Sequence, residues 1–138
     1  MKILKSEEGF SLLEVLIAIT ILTVALLGLG LMQVTAISAN RNSHQFGQAS
    51  AFAEQVLEQM KASPFDSIQT SSGIDNSTGA PNTSNLAGVD NTLVSGVTYY
   101  KVWNVVGADP KQITAYVVWR DRVGTWHQIA MKTSRSSL

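Results

Sequence analysis

The chain has 138 residues, no cysteine, and ten Lys or Arg against ten Asp or Glu, for a formal net charge of zero. That length holds a helix and one small domain, and excludes a large multidomain enzyme. Without cysteine neither a disulfide nor a thiolate metal site can form, and the neutral balance gives no reason to expect a nucleic-acid partner.

Residues 1–9 carry Lys2, Lys5, Glu7 and Glu8 and end at Gly9. From Phe10 the chain turns apolar, and after Glu14 no charged residue occurs before Arg41. As a helix such a run extends about 40 Å at 1.5 Å per residue, enough to cross a hydrocarbon core of about 30 Å. Glu14 stands inside this run, where an ionised carboxylate costs roughly a few kcal/mol unless a partner offsets it. A plain membrane anchor has no use for it. The same residues also admit plainer readings: Glu14 at the headgroup level of a single-pass helix, Gly9 as a flexible residue, and Ser11 as a generic helix start.

The series Gly9, Phe10, Ser11, Leu12, Leu13, Glu14, Val15, Leu16, Ile17, Ala18 behind a short basic leader resembles the N-terminus of the type IV pilins and pseudopilins. The resemblance implies that a prepilin peptidase cuts between Gly9 and Phe10 and methylates the new amino group of Phe10. A secretory signal is discarded with its apolar region, whereas here the apolar run lies after Gly9 and would stay on the mature chain. The cut would create a cationic amine at Phe10. In a filament, Glu14 would pair with the Phe10 amine of a neighbouring subunit, which offsets the desolvation of both and sets the stagger. Glu7 and Glu8 depart from the family habit of a basic residue before the glycine. Lys2 and Lys5 place the N-terminus in the cytoplasm, so the chain is expected as a single-pass inner-membrane protein with a periplasmic domain, later carried into an extracellular pilus.

Gly28 and Gly30 interrupt the apolar run, each at about 1 kcal/mol of helix stability relative to Ala. They read either as a stretch that unwinds during assembly or as a site of close helix packing. Major pilins usually carry a proline in this stretch, and none precedes Pro64. Past Ile37 the pattern becomes one-sided. Phe46, Ala49, Phe52, Ala53, Val56, Leu57 and Met60 recur at three- and four-residue spacing, with Gln45, Gln48, Gln55, Glu58 and Gln59 assigned to the other side. Pro64 disfavours helical backbone at Ser63, so the helix should end near Ala62.

Residues 64–96 are rich in Ser, Thr, Asn and Gly without sustained periodicity, and read as a long variable loop with one short strand near Thr92–Val94. Asn76 and Asn82 open matches to the glycosylation acceptor pattern, a weak signal in so polar a stretch. Residues 97–106, 112–120 and 125–133 are rich in β-branched and aromatic residues and are joined by short turns, which predicts an antiparallel meander. Ile113, Ala115, Val117 and Trp119 alternate with Thr114, Tyr116, Val118 and Arg120, so one face can lie on the amphipathic helix. Trp103, Trp119 and Trp126 read as core or sheet-edge packing. The fold class expected is α+β: a long N-terminal helix, half transmembrane and half amphipathic, on a small antiparallel sheet. Its divisions are a cleaved leader 1–9, a transmembrane helix 10–37, an amphipathic half 38–63, a variable loop 64–96 and a sheet region 97–138.

No catalytic constellation is visible. His44 and His127 occupy no metal-ligand spacing and read as helix- and strand-surface residues. Asp75, Asn76 and Asp90 fit no regular calcium loop. No catalytic residue, cofactor or metal is expected. Residues 101–138 hold six Lys or Arg against Asp109 and Asp121, a solvated strand surface or, in a rival reading, a DNA contact through Arg120, Arg122 and Lys132. Tyr99-Tyr-Lys-Val-Trp103, Lys111-Gln-Ile-Thr114 and Val118-Trp-Arg-Asp121, with Gly124 and His127, look like the minor pilins called PilV. This second resemblance implies a low-abundance subunit that joins a tip or priming complex. Its partners would be other minor pilins, the major pilin, prepilin peptidase, the inner-membrane assembly platform and membrane lipid. The alternative is the minor pseudopilin (I subunit) of type II secretion.

Overall fold

A computed structural model describes residues 11–137. Gly9 and Phe10 lie outside the described residues. The element order is a helix α1 (Leu12–Ala62), a 3-10 turn at Phe65–Ser67, two short strands β1 (Ile74–Asp75) and β2 (Ala80–Pro81), then β3 (Asn91–Val94), β4 (Val97–Val106), β5 (Lys111–Arg120) and β6 (Trp126–Arg135). One compact unit runs to Asn42 and a second begins at Ser43.

Up to Asn42 every described side chain is exposed. Thr20, Thr23 and Thr35 turn their hydroxyls back onto helix carbonyls: Thr20 to Leu16 O at 2.6 Å, Thr23 to Ile19 O at 2.7 Å and Thr35 to Leu31 O at 3.1 Å. Such back-bonding satisfies a hydroxyl without water and suits an apolar surrounding. The helix continues through Gly28 and Gly30.

The unit from Ser43 is built on a four-stranded antiparallel sheet in the order β3-β4-β5-β6, with a two-stranded ribbon of β1 and β2 beside it. The three long strands are those expected, each within two residues of the predicted bounds. The buried stripe of the helix is Gln45, Ala49, Ala53, Val56, Leu57 and Met60, of which Ala49 onward packs on the sheet. Size is matched across this interface. Ala49 and Ala53 lie against Tyr99, Val117 and Trp119, whereas the larger Val56, Leu57 and Met60 lie against Ile113 and Ala115. Small residues on the helix thus receive the large side chains of the sheet, and Ala115 receives the large ones of the helix, as close packing requires. The alternation Ile113, Ala115, Val117, Trp119 forms the helix-facing side, and all four are fully buried.

One assignment on the helix is corrected. Gln45, placed by pattern on the polar side, is buried, and Phe46 is 42% exposed. Positions 45, 49, 53, 56 and 60 make the continuous stripe of threes and fours, and Phe46 lies one residue round from it. The helix ends as expected: Ser63 donates to Gln59 O from its N–H at 3.1 Å and its hydroxyl at 2.8 Å. Arg135 at the end of β6 donates to Met60 O at 2.8 Å and also to Ser63 O, satisfying carbonyls that a helix leaves open at its C-terminus.

Residues 64–96 are folded to a degree the sequence did not announce. Leu86 and Val89 pack on Val102 of the reverse sheet face with Ile74, Tyr100 and Tyr116 alongside, a second small core. Gly73, at φ +82°, is required by that approach, because a Cβ there would stand 2.7 Å from Val89 Cγ2. The segment also covers the outer edge of β4. The Ser71 N–H donates to Trp103 O at 2.9 Å, the Trp103 N–H to Ser71 Oγ at 2.8 Å, and the Lys101 N–H to Asp90 O at 2.8 Å. Lys101 Nζ pairs with Asp90 at 2.8 Å.

Candidate functional site

Glu14 lies in the first turn of α1 and is exposed. The turn is closed by the Glu14 N–H donating to Ser11 O at 3.0 Å and the Val15 N–H to the same oxygen at 3.2 Å. Ser11 and Glu14 have the S-x-x-E spacing that favours a helix start, and a carboxylate in a first turn suits the positive end of the helix dipole. Local helix chemistry therefore accounts for an acid near this position. It does not account for its surroundings. Leu12, Leu13, Val15, Leu16, Ile17, Ile19, Ile21 and Leu22 are all exposed around it. Shallow apolar grooves run along both flanks of Glu14, and both are lined by Ala18. A small residue four positions on leaves space beside the carboxylate that an incoming group can reach.

The helix from Leu12 has a mean hydropathy of 2.7 in its most apolar window and is long and apolar enough to cross a membrane. Within that window nothing is buried inside the chain. An apolar surface of this extent finds its partner outside the chain.

Other residues singled out by sequence are dispersed. Asp75 Oδ1 accepts the Ser77 N–H at 2.8 Å and the Ser77 hydroxyl at 2.6 Å, which holds its carboxyl below the usual carboxylate range. Asp90 is engaged with Lys101, so the two acids do not share a site. Among the described residues no group of three or more His, Cys, Asp or Glu could hold a metal ion. Arg120 is opposite Trp126 in the β5–β6 register and Lys132 is opposite Thr114. Six strand residues, about 20 Å at 3.3 Å each, therefore separate Lys132 from the turn that carries Arg122. His44 is an exposed helix residue.

A cluster that the sequence reading did not assemble lies at the β5–β6 turn. Trp119 and His127 are cross-strand partners, and their rings stack with centroids 5.5 Å apart at 23°. Phe46 meets Trp119 edge-on at 5.0 Å. His127 Nε2 lies 2.9 Å from Asp121 Oδ2, and the Thr125 N–H donates to Asp121 Oδ1 at 2.8 Å. The hydrogen bond with His127, then that from Thr125, hold the Asp121 carboxyl below its ordinary range. His127, expected on the strand surface, is a half-buried strand residue whose ring stacks on Trp119. The signal was available in the Trp119 to His127 spacing, which a short hairpin turn brings face to face.

Residues 4–30 match the prokaryotic N-terminal methylation motif. No curated protein and no solved structure matches the chain. The chain thus carries a methylation motif of the prepilin type that extends into one long helix, whose later part packs on a small antiparallel sheet, the pilin-like α+β architecture.

Proposed function

We propose that this chain is a minor pilin of the PilV type: a subunit stored in the inner membrane that joins a priming or tip complex and helps a type IV pilus begin to assemble. It works by helix packing and subunit contact, without turnover or cofactor. The observation that carries the reading is Glu14, an exposed carboxylate between apolar grooves at the start of a membrane-length helix, inside a methylation motif. In this reading Gly9 is the residue before the cut, Phe10 becomes the methylated N-terminus, and its amine in a neighbouring subunit is the charge that Glu14 receives. The partners are other minor pilins, the major pilin, prepilin peptidase and the assembly platform.

Mass spectrometry of the N-terminal peptide tests the processing step: a start at Phe10 with one added methyl group supports it, and a native chain retaining residues 1–9 overturns it. Glu14→Ala tests the pairing. Membrane insertion and processing should persist while incorporation into fibres falls, and normal incorporation would refute the pairing. The motif is shared with the minor pseudopilin of type II secretion, and deletion separates the two. Lost surface fibres with secretion intact support the pilin, while secreted enzymes trapped in a cell with normal fibres support the pseudopilin.

A further inference from the structure

Among the described residues β6 closes the sheet on one side and has no neighbour beyond it. Its phase is set at the turn. The Gly124 N–H donates to Asp121 O at 3.1 Å and the Asp121 N–H to Thr125 O at 3.0 Å, so Asp121 and Thr125 form a hydrogen-bonded pair. Pairing then runs unbroken from Arg120 with Trp126 to Lys111 with Arg135, and hydrogen-bonded pairs recur at every second residue of an antiparallel ladder. His127, Ile129, Met131, Thr133 and Arg135 therefore turn their N–H and C=O to β5. Trp126, Gln128, Ala130, Lys132 and Ser134 turn theirs outward, in a row that no proline, glycine or bulge interrupts.

The two edges of the sheet are treated differently. Where β3 stops short along β4, the chain covers the edge itself: Ser71 bonds the Trp103 backbone, the Val105 N–H donates to Thr70 Oγ1 at 3.0 Å, and the Lys101 N–H donates to Asp90 O. Nothing comparable reaches β6. The tail beyond it turns to the β4–β5 connection, where the Ser137 N–H donates to Asp109 Oδ1 at 3.2 Å and its hydroxyl to Asp109 Oδ2. Evenly spaced outward N–H and C=O groups are a template for one kind of occupant, an extended polypeptide that returns the same groups.

Side chains along the edge narrow the choice. Ile129 and Met131 pack on the helix–sheet core but stay half-buried, so apolar residues opposite them would complete their burial. On the other face Lys132 is exposed, and β6 contains no acid to answer it. We propose that the outer edge of β6 is a strand-addition site for another protein: it takes an extended segment, antiparallel to β6, with a carboxylate opposite Lys132 and apolar residues opposite Met131 and Ile129. A second copy offers no such strand, because β6 and the other edge, β3, both lack an acid. The site lies wholly within the unit from Ser43, so it does not depend on the reading of residues 10–37.

Amide exchange followed by nuclear magnetic resonance on the full chain in detergent micelles tests the site. Alone and dilute, the outward amides of Gln128, Ala130, Lys132 and Ser134 should exchange faster than those of Ile129, Met131 and Thr133, which face β5; equal protection would overturn the open edge. The probe is the strand Thr-Val-Glu-Val-Thr-Val-Thr, joined after Leu138 through about eight Gly and Ser residues, a linker that holds it at roughly millimolar effective concentration. Running back along β6 it sets its Glu opposite Lys132 and should slow the outward amides about tenfold or more. Lys in place of that Glu, or Lys132→Glu in the chain, should each remove most of the protection, and the two changes together should restore it. No protection from the joined strand, or equal protection whatever its charge, would overturn the proposal. Protection that appears in the unextended chain as its concentration rises would overturn it in favour of a second copy.

Discussion

The two halves of α1 obey different rules. Up to Ile37 the helix is mostly apolar all round, and up to Asn42 it buries nothing within the chain; from Ser43 it buries one stripe. The second half is specified by complementary sizes, Ala49 and Ala53 under Trp119 and Tyr99, so its stability is a property of the chain alone. The first half is specified by composition and one carboxylate, so its stability is a property of whatever surrounds it.

Substitutions that act on one half and spare the other separate these rules. The largest effect is expected for Trp119→Ala, which empties the centre of the helix–sheet interface and should cost about 3–5 kcal/mol. Urea unfolding followed by circular dichroism measures it, and resistance to alkaline extraction from membranes should be unchanged. Leu22→Arg should do the opposite, adding about 2.5–3.5 kcal/mol to membrane insertion and releasing the chain on extraction while the unfolding midpoint of the sheet unit holds. Ala53→Leu overfills the close approach under Tyr99 and should cost about 1–3 kcal/mol. The same change at Ala25, exposed in the first half, should leave the midpoint in place; equal losses at both positions would erase the distinction.

The smallest effect concerns acid. The Asp121 carboxyl titrates lower folded than unfolded, so the unfolded chain takes up that proton first. Its contribution is fully present above the ordinary carboxylate range and is lost as pH falls through the folded value. Thermal midpoints measured from neutrality downward should fall more steeply in the wild type than in Asp121→Asn.

Much of this was legible in the residues. Glu14 stands out because charge is rare in apolar runs, the helix stop at Ala62 follows from Ser63-Pro64, and the buried face of β5 follows from alternation. What escaped had no period to betray it. Ile68, Ile74, Leu86 and Val89 are isolated among Ser, Thr, Asn and Gly, and their burial depends on distant contacts such as Ser71 with Trp103 and Asp90 with Lys101. Gln45 escaped for the reverse reason. Its polarity assigned it to solvent, whereas its place in the stripe buries it.

The clasp at the end of α1 bears on the order in which the chain takes shape. The carbonyls of Met60 and Ser63 receive their donor from Arg135, on a strand synthesised more than seventy residues later. In a nascent chain Ser63 can cap Gln59 O at once, whereas the carbonyls of Met60 and Ser63 wait for a donor from far along the sequence. The Met60 and Ser63 carbonyls gain this donor only once β6 has emerged, so the last turn of α1 is completed together with the sheet.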